Sequence, residues 1–110
     1  MAEPYLTELR ELAADWMSAD PAVGALECRH FFSGAAAYRD GAIVATLTPV
    51  GLAFKVRTEI RDELLAGGSA TELRYFDNSP IKRDYVLFPD GVVETDDAVR
   101  LVRDEPLDGG

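Results

Sequence analysis

The stretch FFSGAAAYRDGAIVATLTPVGLAFKV, from Phe31 to Val56, confines the fold more tightly than any other part of the chain. It is strand-like almost throughout and is interrupted by Ser33-Gly34, Asp40-Gly41 and Thr48-Pro49-Val50-Gly51. Short runs of β-forming residues bounded by such turn residues read as strands. Asp-Gly tolerates the positive φ that a two-residue type I′ turn demands at both central positions. Pro49 presets φ for the next turn, and Gly51 relieves its strain. Ala35 to Arg39, Ala42 to Thr48 and Leu52 to Val56 are therefore predicted as consecutive antiparallel strands. Ahead of them, Leu26 to Phe32 supplies another, with Leu26, Cys28, His30 and Phe32 on one face and Glu27, Arg29 and Phe31 on the other.

Helical periodicity flanks this meander. Leu6, Leu9, Leu12, Ala13, Trp16 and Met17 recur at spacings of three and four, with Glu8, Glu11 and Asp15 opposite. Pro4 suits the first turn of that helix, and Asp20-Pro21 followed by Gly24 ends it. After the meander, Thr58 is predicted to cap a second helix with Glu59 and Asp62 near its positive end and Ile60, Leu64 and Leu65 as its apolar stripe. Gly67-Gly68 stops it. Glu72 to Phe76 and Asp84 to Phe88 read as two more strands, joined by DNSPIKR, and Thr95 opens a last helix with Val99, Leu101 and Val102 as contacts. The order is α-β-β-β-β-α-β-β-α, which implies an α+β, two-layer fold: an antiparallel sheet with helices on one face. The other face is then exposed or covered by a partner.

At 110 residues and 47% hydrophobic, the chain is read as one domain over 1–110, with residues 105–110 a frayed tail. A basic start followed by an apolar run is missing, as is any apolar window long enough to span a bilayer, so a cytoplasmic protein without a membrane partner is expected. Cys28 is the sole cysteine, which excludes an internal disulfide and a multi-cysteine metal site. The net charge of -9 is concentrated at the ends, -4 over residues 3–20 and -4 over residues 94–108. That distribution disfavours double-stranded DNA, whose phosphates demand a basic surface.

Few residues offer chemistry. Cys28 and His30, two apart on a strand, share a face and are a conceivable thiolate-imidazole pair, but Leu26 and Phe32 on that face make it look like core. Glu59, Asp62, Asp96 and Asp97 are explained by helix first turns, and Asp40 and Asp90 by turns. No catalytic residue, metal site or cofactor is therefore expected. The cations stand out. If Leu52, Phe54 and Val56 face the helices, Lys55 and Arg57 point to the open sheet face, where Arg29 and Arg74 could join them beside Phe31 or Tyr75. Such a patch suits an anionic small ligand or a single-stranded nucleic acid. Equally, it blunts the sheet against aggregation. Lys82 and Arg83 in the loop after Pro80 form the other patch, so the candidate binding surface is Arg29, Lys55, Arg57, Lys82 and Arg83.

Together with SPIKRDYVLFPDGV about 20 residues later, the meander resembles the N-terminal domain of the TfoX/Sxy family over residues 5 to 104. Phe32, Gly34, Tyr38, Gly41, Leu52, Phe54, Val56, Pro80, Lys82, Tyr85 and Pro89 occupy the places that carry the likeness. The resemblance implies a two-layer fold similar to that of secretion chaperones, and no shared catalytic residues. Longer members append a helical C-terminal domain and regulate natural competence; this chain ends before such a domain, so that activity is not expected of it. A non-enzymatic regulatory module is expected, contacting another protein or a second copy of itself as a homodimer. Thiol-dependent catalysis by Cys28 and His30 ranks third, after the anionic-ligand reading.

Overall fold

A computed structural model describes residues 3–74 and 78–105. Three helices, α1 (Glu3–Ala19), α2 (Thr58–Ala66) and α3 (Thr95–Val102), accompany six strands: β1 (Leu26–Phe31), β2 (Gly34–Arg39), β3 (Ala42–Thr48), β4 (Gly51–Lys55), β5 (Thr71–Leu73) and β6 (Lys82–Phe88). A 3-10 turn, Pro21–Val23, joins α1 to β1. The element order and the α+β class are those expected, with all six strands in one antiparallel sheet.

The sheet order is β1-β2-β3-β4-β6-β5, so the meander runs unbroken through β4 and the last two strands exchange places. Their sequences explain the exchange. The second half of β6 is apolar on both faces, with Val86 and Phe88 toward the helices and Leu87 opposite, and belongs inside a sheet. β5 is three residues long and mostly polar, which suits an edge. Tyr75 and Phe76, expected in β5, lie outside the described residues, and β6 starts two residues sooner than expected.

All three helices contribute to one core on one sheet face. Trp16, Leu9 and Phe54 are fully buried, with the Trp16 and Phe54 rings 5.5 Å apart and Phe54 meeting Phe88 edge-on at 6.0 Å. Burying each such side chain contributes about 1.5–3 kcal/mol relative to leaving it exposed. α1 lies over β1, β2 and β3. The alanines of β2 permit this: Ala35 and Ala37 face the helix and are completely covered, leaving room for Leu9, Ala13 and Trp16 to settle close to the sheet.

Phe32 departs from expectation. It leaves the strand face to form, with Ser33, the two-residue turn between β1 and β2, at φ 52 and mostly exposed, its ring 4.4 Å from that of Phe31. Gly34 cannot serve as the turn residue because it is needed in the ladder: a Cβ there would stand 2.2 Å from the Leu47 carbonyl oxygen. The Asp40-Gly41 turn is as predicted, with φ 53 and 82. Thr58 is the first residue of α2 rather than its cap. Arg57 takes the cap position in an extended conformation, its N–H donating to Asp104 Oδ1 at 2.8 Å.

The two acidic ends meet. Arg103 after α3 binds Asp20 after α1 at 2.8 Å, a contact between charges far apart in sequence, and also its near neighbour Glu105 at 2.7 Å. Among the described residues, no helix is long and apolar enough to cross a membrane.

Candidate functional site

The outer face of the sheet divides into two halves. On β4, β6 and β5, the side chains of Ala53, Leu87 and Leu73 form a second, small buried cluster flanked by Val50 and Tyr85. This half is closed. On β1 and β2 the same face carries Phe31, Arg29, Glu27 and Tyr38. Arg29 donates to Glu27 Oε1 at 2.8 Å, and its guanidinium lies 5.3 Å from the centre of the Tyr38 ring. The hydrogen bond between them holds the Glu27 carboxyl below its usual range and the Arg29 guanidinium above its own.

The register of β1 fixes which way its backbone points. A two-residue turn makes Phe31 and Gly34 a hydrogen-bonded pair, and the alternation of an antiparallel ladder extends this to Arg29 with Ala36 and Glu27 with Tyr38. Leu26 and Cys28 therefore turn their N–H and C=O groups away from β2. Leu26 shows it directly: its N–H donates outward to Met17 Sδ at 3.4 Å. The opposite edge is different. β5 pairs with β6 in a shifted register and is anchored by Arg61, a buried guanidinium of α2 that binds Glu72 at 3.1 Å and Asp62 at 3.5 Å.

Cys28 packs against the main core from β1, as its apolar neighbours predicted, and burial pushes its thiol above the ordinary range, only partly offset by Arg10. A nucleophilic cysteine needs the reverse. His30, expected on the core face, is exposed near the end of the strand.

The five cations do not converge. Arg29 stands three strand spacings from Lys55, about 14 Å. Lys55 and Arg57 do share a site, a cleft of about 390 Å³ that opens where β3 and β4 part, lined also by Arg39, Asp84 and Asp104 over Val56 and Val102. The parting follows from pairing: β4 leaves β3 after Phe54 while it stays joined to β6, the Val56 N–H donating to the Asp84 carbonyl at 2.9 Å. Lys55 reaches Asp84 only at 3.9 Å, and Arg39 donates to the Val23 carbonyl at 2.9 Å. Lys82 and Arg83 are exposed at the start of β6. The partners of Arg39 and Arg61, Val23 and Glu72, are distant in sequence, so no local pattern announces either contact.

A family model, the TfoX N-terminal domain, matches residues 20–107. The chain belongs to the TfoX N-terminal domain family. The matched span begins at the end of α1, so the whole sheet and α3 of this TfoX N-terminal domain fall within it and α1 lies before it. Neither a curated protein nor a solved structure matches the chain.

Proposed function

We propose that this TfoX N-terminal domain is a non-enzymatic binding module, and that it engages a protein partner along the β1 rim of its sheet. One observation carries the reading: β1 is a six-residue edge in unbroken register with outward backbone groups at Cys28, whereas the other edge is short, irregular and tied down. An extended segment added to such an edge gains main-chain hydrogen bonds along its length. The burial-raised thiol at Cys28 argues against the nucleophile that a thiol-dependent enzyme would require.

The test uses proline at a position whose N–H points outward. Cys28→Pro removes that donor while sparing the bonds to β2, and Cys28→Ala controls for the side chain. Immobilised protein is expected to capture a partner from an extract of its source cells with Cys28→Ala and to lose it with Cys28→Pro. Equal capture by both variants overturns the reading.

A second reading is favoured by the cleft at Arg39, Lys55 and Arg57, where a loosely held ammonium and an exposed guanidinium face a small anionic ligand or a single nucleic-acid strand. Binding of an oligonucleotide that weakens steeply with salt and disappears in Lys55→Glu/Arg57→Glu supports it; binding indifferent to those changes removes it.

A further inference from the structure

We infer that the partner of the β1 rim is a second copy of this chain, joined β1 to β1 in antiparallel fashion about a twofold axis at Cys28. The inference rests on the edge-binding reading above and names its occupant. In that arrangement Cys28 faces Cys28 of the other copy as a hydrogen-bonded pair, and Leu26 faces His30. Glu27 faces Arg29 and Arg29 faces Glu27, in the closely spaced, non-hydrogen-bonded positions where facing side chains interact most strongly.

The charges select this register over its neighbours. Sliding one strand by two residues either way keeps the outward backbone groups in phase, but sets Glu27 against Glu27 or Arg29 against Arg29. Sliding by one residue puts a helix-side position opposite an outer-face position and mismatches the backbone groups. The register centred on Cys28 alone makes both cross-strand pairs opposite in sign. Self-complementarity of this kind is what an isologous interface requires.

Geometry also allows the two bodies to sit side by side. The axis runs perpendicular to the sheet, so both helical layers stay on one side and the outer faces form a single continuous surface. Half-buried Leu26, Cys28 and Met17, which fringe the rim on the helical side, lie where the second copy covers them. Glu27 and Arg29 are already bridged to each other within each chain, so the four charges alternate around the axis. Nothing in β1 carries the proline or bulge with which edge strands commonly refuse a neighbour. The contact is small, and the assembly is accordingly a concentration-dependent equilibrium.

Charge reversal tests it, read by sedimentation over a range of protein concentrations, with circular dichroism to confirm that each variant is folded. The unaltered chain is expected to shift from monomer to dimer. Arg29→Glu alone and Glu27→Arg alone each set like charges face to face and are expected to weaken the dimer about tenfold. The double variant Glu27→Arg/Arg29→Glu restores opposite signs in the same register and is expected to recover the original equilibrium. A double variant as weak as the single ones, or a chain that stays monomeric at every concentration, overturns the proposal. If the chain stays monomeric and Cys28→Pro still abolishes capture of another protein, the edge-binding reading survives and the self-pairing does not; if Cys28→Pro changes neither, both fall.

Discussion

The sheet has two edges, and they are built in opposite ways. β5 is three residues in a shifted register, closed on the outer face by Leu73 against Ala53 and Leu87, and held on the other by Arg61 reaching from α2 to Glu72. β1 is six residues in unbroken register, with a rim of charge and half-buried side chains. An open edge is ordinarily a liability, and the proposed binding surface lies on the edge that is long and regular. The proposed function rests on this difference between the two edges.

Perturbing the closed edge should have the largest effect. Leu73→Ala empties the small outer cluster and is expected to cost about 2–5 kcal/mol in chemical denaturation. Local fraying of β5 with β1 unaffected is expected in amide exchange, and equal loosening of both edges would erase the distinction. Arg61→Ala comes next. It removes the hydrogen bond to Glu72, a charged pair half open to water, and is expected to cost about 1–2 kcal/mol. The guanidinium Nε is buried without an acceptor, which holds the net loss below that of a fully bonded buried arginine.

The smallest effect belongs to the open edge. The Cys28 thiol is raised by burial, so its neutral form is favoured in the folded chain. Its contribution to stability is fully present below the ordinary thiol range and is lost as pH rises through the higher value of the folded state. Alkylation of the folded chain near neutral pH is expected to be slower than that of the unfolded chain, and the pH dependence of stability to flatten in Cys28→Ala. Faster alkylation of the folded chain would mark an activated thiol and reopen the enzymatic reading.

Much of the meander and of the core was legible in the sequence, and little of the site was. The meander announces itself because Asp40-Gly41 and Pro49-Val50-Gly51 are local turn signals that need no tertiary context. Phe32 misleads because period-two alternation carries it onto the core face, while the contact that displaces it, Gly34 against the Leu47 carbonyl, comes from a strand 13 residues on. The Arg61 tether depends on long-range packing, which no window of sequence contains, whereas the exchange of β5 and β6 agrees with their composition once the pairing is known. Of the five cations, Lys55 and Arg57 share a cleft because β3 and β4 part there, and Arg29 stands apart because sheet order, not sequence distance, separates it from them. β1, with Glu27, Arg29 and His30, and the uncharged β3 differ in composition, and the pairing shows that β1 has one neighbour and β3 two.

Residue-resolved amide exchange across a range of protein concentrations distinguishes the two edges. In dilute solution the N–H groups of Glu27 and Arg29, bonded to β2, are expected to be protected while that of Cys28 exchanges quickly; on concentration the Cys28 amide becomes protected and Thr71 to Leu73 of β5 do not change. A Cys28 amide that stays fast at every concentration while β5 gains protection would contradict the assignment of β1 as the edge this protein uses.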